Sequence, residues 1–284
     1  MRFAKVYVEI TNVCNLNCSF CPQTRRMPGC LSVENFRRIL TRLCGWTEYL
    51  YFHLMGEPLL HPELGRLLQI AGEMGFRVIL TTNTTLLSRA EQTLLAAPAL
   101  HKVNLSLQAF EANEKLDPAA CLQTCIRFAQ HAAERGVLVN FRLWNLDGAG
   151  TVGRNLQNDS LLSLLHEAFP QPWQSSRGGE KLSQNVYLSW GETFRWPELT
   201  ESEVNAAHGC YGLRDQLGVL WDGTVVPCCL DHEGDIALGN LLQDYMEEIL
   251  SRPRTRAILE GFRRGEAVEE LCRRCGYANR FSVK

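Results

Sequence analysis

The run Lys5-Val-Tyr-Val-Glu-Ile-Thr-Asn-Val-Cys14-Asn-Leu-Asn-Cys18-Ser-Phe20-Cys21 joins a strand pattern directly to a loop of three cysteines. Residues Lys5–Ile10 alternate apolar with polar or smaller groups, which predicts a β-strand. The cysteines fall in the loop after it, the position from which α/β folds present their chemistry. Three thiolates in one short loop can hold three irons of a 4Fe–4S cube and leave the fourth without a protein ligand. An open coordination position is what separates a catalytic metal centre from a structural one. The rival reading of the loop alone is a zinc site that recruits a fourth ligand elsewhere.

Working outward from this loop, further strand patterns follow at Glu48–Leu54, Arg77–Thr82, Lys102–Gln108, Val137–Trp144 and Asn185–Trp190. Amphipathic helical patterns lie between them near Val33–Leu43, Pro62–Met74, Arg89–Ala97, Pro118–Arg135 and Asp159–Phe169. Strands alternating with helices over short loops predict parallel strands joined by right-handed crossovers. Periodicity alone leaves an open doubly wound sheet and a partial barrel equally available. The stretch Gln171–Glu180, with Pro172 and Gly178-Gly179, reads as a loop. From about Glu201 the composition changes, and Cys210, Cys228, Cys229, Cys272 and Cys275 fall in this last part. There, Gly218–Trp221 and Thr224–Val226 flank Asp222-Gly223, a two-residue hairpin signal. Short helical patterns close the chain near Leu242–Leu250 and Arg254–Arg264.

The 284 residues suffice for one sizeable core and a small appended module. A net charge of −2 gives no electrostatic case for nucleic acid or an anionic membrane. No apolar run reaches the length of a bilayer span, and the charged N-terminal strand is no signal peptide. Twelve cysteines without an export signal favour metal binding in a reducing compartment over disulfides, so a cytoplasmic location is expected.

The spacing C-x3-C-x2-C at Cys14, Cys18 and Cys21, with aromatic Phe20 before the last cysteine, resembles the signature of the radical S-adenosylmethionine superfamily. The resemblance implies a partial (β/α)6 TIM-like barrel over residues 1–200. It also implies an open iron chelated by the methionine moiety of S-adenosylmethionine, Phe20 against the adenine, and hydrogen abstraction by a radical derived from the cofactor. Gly56-Glu57-Pro58 after Met55 resembles the family's Gly-Gly-Glu-Pro motif with its first glycine replaced, and a carboxylate at Glu57 suits an ammonium group. Thr82 and Asn83 close the third strand, and Ser106 and Gln108 the fourth. In the family such strand-end groups touch the cofactor's ribose or carboxylate. Arg142, on the fifth strand, could pair with that carboxylate or make an ordinary ion pair.

Cys210, Cys228, Cys272 and Cys275 can ligate a second 4Fe–4S cluster, and four cysteines suit a zinc knuckle equally well. Their arrangement, a cysteine, a Gly-x4-Cys hairpin ending at Cys228 and a late C-x2-C, resembles the SPASM and shortened Twitch extensions of the same superfamily. The further cysteine of the full SPASM pattern is Phe281 here, which implies one auxiliary cluster, a Twitch-type module over residues 201–284. The pattern is similar to that of 2-deoxy-scyllo-inosamine dehydrogenase-type enzymes, including an Arg-Gly-Gly at Arg177 that would touch substrate. Cys229, beside a ligand, is a candidate hydrogen-atom donor. The expectation is an oxidoreductase that dehydrogenates a carbinol, or an epimerase of a sugar or peptide residue. Its substrate is a small molecule or peptide, and its electrons come from a flavodoxin- or ferredoxin-type reductant. A peptide-modifying role loses weight because the chain begins at the first strand, without room for a leader-binding domain. A two-cluster electron carrier is the non-enzymatic rival, though it would have no use for Glu57 or the strand-end polar groups.

Overall fold

The computed structural model describes residues 2–113, 116–146, 156–176, 178–204 and 209–281. Five parallel strands, β1 (Lys5–Val8), β2 (Tyr49–Phe52), β3 (Arg77–Thr82), β4 (Leu100–Ser106) and β5 (Leu138–Leu146), lie side by side in chain order. The helices α1 (Val33–Leu43), α2 (Leu64–Glu73), α3 (Leu87–Leu95), the short α4 (Gln108–Glu111) and α5 (Pro118–Glu134) fall in the connections between them, followed by α6 (Leu156–Ala168). After α6 come β6 (Gln174–Ser176), β7 (Gly179–Ser183) and β8 (Val186–Glu192). Strand β8 pairs parallel with β5 and is the sixth parallel strand, as the sequence pattern predicted.

The helices form where the sequence spaces apolar residues three and four apart. In α1, Phe36, Ile39, Leu40 and Leu43 are buried, and the Ser32 side chain caps the first turn by accepting from the Asn35 amide at 3.2 Å. In α5, Asp117 accepts from the amides of Ala119 and Ala120, and Pro118 occupies the first helical position. These helices cover one face of the sheet. Val6, Val8, Leu50, Phe52, Val78, Leu80, Val103, Leu105, Val139, Phe141 and Leu143 pack there, out of contact with solvent.

The stretch expected as a loop at Gln171–Glu180 instead contains β6 and the start of β7, which add antiparallel to the edge at β8. Residues Gln174-Ser-Ser176 are exposed throughout, so no apolar alternation marks β6 in the sequence; backbone pairing alone makes it a strand. The hairpin after Cys210 also differs in detail. Four residues separate strands β9 (Gln216–Val219) and β10 (Thr224–Val226), and Leu220 extends the pairing so that the loop proper is Trp221, Asp222 and Gly223. Leu220 and Thr224 close the loop, and Gly223 at φ +89° takes the left-handed position that three-residue hairpin loops require.

Strand β9 pairs in parallel with β1 from Lys5↔Gln216 to Val8↔Val219, so the C-terminal hairpin continues the barrel sheet. With β11 (Gly239–Asn240) the sheet has eleven strands, ordered β11-β10-β9-β1-β2-β3-β4-β5-β8-β7-β6. The helices α7 (Met246–Ser251), α8 (Pro253–Arg263) and α9 (Glu270–Arg273) follow. No helix among the described residues is long and apolar enough to cross a membrane.

Candidate active site

The cysteine loop leaves β1 and returns as an antiparallel stem. Thr11 bridges Cys30, the Leu31 amide donates to the Ile10 carbonyl at 2.8 Å, and the Asn12 side chain bonds both Gly29 and Met27. This clasp holds Cys14, Cys18 and Cys21 at the mouth of the barrel. Each sulfur also meets a specific environment. The Asn113 amide group donates to Cys18 Sγ at 3.2 Å, and the Leu16 amide and Asn83 side chain donate to Cys14 Sγ at 3.5 and 3.8 Å. Burial raises the pKa of all three thiols. Such donors suit thiolates that carry charge onto a cluster. Phe20 is 43 % exposed at the cavity edge, and its carbonyl accepts from the Trp196 indole at 3.1 Å.

The Gly56-Glu57-Pro58 turn abuts this loop. Gly56 adopts φ +76°, and a Cβ there would strike the Thr11 carbonyl and the Asn12 backbone. Only glycine lets the end of β2 lie so close to the cysteine stem. The Glu57 amide donates to the Val13 carbonyl at 2.8 Å. Its carboxylate is almost fully buried and accepts from Thr82 Oγ1 (2.8 Å), the Asn83 amide (2.7 Å) and the Leu59 amide (3.0 Å). Burial pushes its pKa up to about 7 against these donors. Glu57 therefore braces the ends of β2 and β3 while bordering the cavity.

At the opposite wall, Cys210, Cys228, Cys272 and Cys275 come together around the β9–β10 hairpin and α9. Burial, then the neighbouring thiols, raises the pKa of Cys228 and Cys272 well above that of a free cysteine. The four sulfurs thus sense one another. Four thiolates gathered in this way can each take one iron of a 4Fe–4S cube. The turn after Cys228 is fixed by Asp231, whose carboxylate accepts from the amides of Gly234, Asp235 and Ile236 at 2.9–3.0 Å.

Between the two thiol groups lies a cavity of about 630 Å³ that both of them line. Its floor and walls are the inward residues of the parallel strands: Lys5 and Tyr7, Tyr51 and His53, Thr81, then Lys102, Asn104 and Ser106, and finally Asn140, Arg142 and Trp144. A polar ladder crosses the sheet, with Asn104 donating to Thr81, and Asn140 to Asn104 and Ser189. Gln108 is buried beside it, its Oε1 unpartnered among the described residues. Cys229 lines the same cavity and is hydrogen-bonded to Tyr7. Burial lowers the pKa of Arg142 to about 10; its neighbours are Tyr7, Cys229 and Tyr277, and among the described residues it forms no ion pair. Arg177 lies outside the described residues.

Sequence reading missed a buried ion pair behind the site. Glu9, fully buried, forms a two-point pair with Arg26 at 2.6 and 2.8 Å and accepts from the amides of Met55 and Trp221 at 3.2 Å. Arg26 also donates to the His232 carbonyl at 2.8 Å. One carboxylate thereby ties the cysteine loop, β2 and the C-terminal hairpin together. A charged residue inside a strand otherwise bound for the core was the available signal.

Family profiles agree with this layout. The radical SAM superfamily profile matches residues 8–149. The chain belongs to the radical S-adenosylmethionine superfamily. The iron–sulfur cluster-binding SPASM domain matches residues 210–276, the stretch holding the four C-terminal thiols. S-adenosylmethionine and 4Fe–4S clusters are the cofactors that go with these two domains. Among curated relatives, GTP 3′,8-cyclase of Synechococcus sp. (strain WH7803) is 30 % identical over 162 residues, 53 % of this chain and 45 % of its own. Fe-coproporphyrin III synthase of Methanosarcina barkeri is 27 % identical over 139 residues, 47 % of this chain and 35 % of its own. The chain thus spans less than half the length of these relatives. Among solved structures, BtrN in complex with AdoMet and 2-DOIA superimposes with a TM-score of 0.58 at 17 % identity, covering 97 % of this chain and 93 % of that one. SuiB of Streptococcus suis bound to S-adenosylmethionine gives 0.62 at 14 % identity, covering 92 % and 68 %. These likenesses establish the radical SAM partial barrel.

Proposed function

We propose that the protein is a radical S-adenosylmethionine oxidoreductase that removes a hydrogen atom from the carbinol carbon of a small polar substrate and oxidises it to the carbonyl. The observation that carries this reading is the single cavity lined at one end by Cys14, Cys18 and Cys21 and at the other by the four C-terminal thiols. Cys14, Cys18 and Cys21 would hold the cluster that binds S-adenosylmethionine. When bound, the pair supplies one-electron reductive cleavage of a sulfonium C–S bond, and with it a carbon radical able to abstract hydrogen. Thr82, Asn83, Ser106 and Gln108 border the space beside that loop and would orient the cofactor, with Phe20 at its edge. Gly56 and Glu57 keep the strand ends in register beneath it. Cys210, Cys228, Cys272 and Cys275 would hold the auxiliary cluster, which would supply a one-electron acceptor for the second electron of the oxidation, the hydroxyl proton going to solvent. The reductant is a flavodoxin- or ferredoxin-type protein, and the setting is the cytoplasm.

The position of Cys229 favours a second reading, epimerisation. Its thiol borders the cavity, from which it could return a hydrogen atom to the opposite face of a substrate radical. Anaerobic reconstitution with iron and sulfide, then reduction with S-adenosylmethionine, tests the shared part. Roughly eight irons per chain and release of 5′-deoxyadenosine are expected, with release abolished in Cys14→Ala. Release that survives Cys14→Ala overturns the proposal. Turnover in deuterated water separates the two reactions, because a thiol that exchanges with solvent deposits deuterium in an epimerised product and a dehydrogenated product gains none at that carbon.

A further inference from the structure

Parallel strands covered by helices are ordinarily apolar on both faces, because each face is buried. Here the outward faces of β1, β4 and β5 obey that rule, and the inward faces break it with three cations: Lys5, Lys102 and Arg142. The carboxylates bordering the cavity are Glu57, Glu192 and Asp231. Glu57 and Asp231 are each occupied by three donors, and Glu192 is exposed at the end of β8. None of the three cations forms an ion pair among the described residues. Lys102 is instead a like-charge neighbour of both Arg142 and Lys5.

Unmet hydrogen bonds gather at the same place. Among the described residues, Arg142 Nε and Trp144 Nε1 are buried without a partner, and His53 Nδ1 beside them is likewise unmet. The arginine and tryptophan nitrogens can only donate, so what they lack is an acceptor. The Arg142 guanidinium is more than nine-tenths buried and lies over the Trp144 ring at 3.4 Å, which fixes the plane of its donor fork. A desolvated guanidinium whose Nε donor is unmet is unfavourable unless an anion meets it. Its planar fork matches the paired oxygens of a carboxylate or phosphate.

Resting on the radical S-adenosylmethionine reading above, we propose that the substrate carries an oxyanion, a carboxylate or a phosphate, seated on Arg142 and Trp144 with Lys102 and Lys5 completing the positive field. A cationic aminocyclitol is disfavoured by the same three charges. In this arrangement Arg142 anchors substrate, and the cofactor's carboxylate is left to the groups around the first cysteine loop.

The test is anaerobic isothermal titration of the reconstituted enzyme with inorganic pyrophosphate in one arm and succinate in the other, with myo-inositol as the uncharged comparator. S-adenosylmethionine is titrated separately. At least one of the two anions is expected to bind at one site per chain. Arg142→Gln should weaken that anion about 10- to 100-fold and Lys102→Gln less, with Arg142→Lys recovering part of the loss. Which arm responds identifies the group. Full iron content in each variant establishes that it folds. The proposal is overturned if neither anion binds, if myo-inositol binds as tightly, or if Arg142→Gln weakens S-adenosylmethionine while leaving the anion unchanged. Release of 5′-deoxyadenosine is measured on the same preparation. Its failure sinks the enzymatic reading, and its success without anion binding sinks this inference alone.

Discussion

Gly56 and Glu57 show how much of the site rests on single residues. A methyl group at Gly56 would meet the backbone of Thr11 and Asn12 at a φ that L-residues rarely adopt. Gly56→Ala is therefore expected to destabilise the chain by about 3 kcal/mol and to lower iron retention by the first loop, read as melting temperature and iron content. Glu57 makes a pH prediction. Burial raises its pKa from the ordinary 4.5 to about 7, so the folded state favours the protonated acid. The stability this provides is complete below about pH 4.5 and is lost as the pH rises through 7, a swing of about 3 kcal/mol. Glu57→Gln fixes a neutral group at the same place. In urea melts of the enzyme without S-adenosylmethionine, wild type should lose stability relative to Glu57→Gln between pH 5 and 8, by about 2–3 kcal/mol. A constant gap would mean the carboxylate is already ionised throughout.

At the scale of elements, the Glu9–Arg26 pair decides how the cysteine loop meets the rest of the barrel. Removing one partner of a buried pair leaves an uncompensated charge, which costs about 3–5 kcal/mol. Arg26→Met should lose that much, and Glu9→Gln/Arg26→Met should recover a good part of it, a pattern that a double-mutant cycle in chemical denaturation would reveal. This pair also marks where sequence reading stops. The cysteines were legible because ligand chemistry fixes their local spacing, and the six parallel strands were legible from alternation with amphipathic helices. The partners of Glu9 come from the loop at Arg26, the end of β2 at Met55 and the hairpin at Trp221, and no local pattern connects them. Strand β6 was hidden for the opposite reason, since its residues have no buried face to create a pattern. Lys102, Asn104 and Asn140 did leave a trace, polar residues at every second position of otherwise apolar strands.

For the whole molecule, the consequential fact is that β9 continues the barrel sheet from β1, which sets the C-terminal thiols against the same cavity as the N-terminal loop. A module tethered only by a linker would leave the distance between the two thiol groups to chance; a shared ladder of backbone bonds fixes it. The two groups should therefore be separable in chemistry although continuous in structure. Cys228→Ser is expected to reduce iron from about eight to about four per chain, because a cube that loses one of its four thiolates is poorly retained. The first loop lies on the far side of the cavity, so the variant should still release 5′-deoxyadenosine when reduced with S-adenosylmethionine. It should yield little oxidised product, because the substrate's second electron has lost its exit. Iron analysis, 5′-deoxyadenosine and substrate oxidation measured together on one preparation decide the matter. Oxidised product at the wild-type ratio to 5′-deoxyadenosine would assign the auxiliary site a purely architectural role.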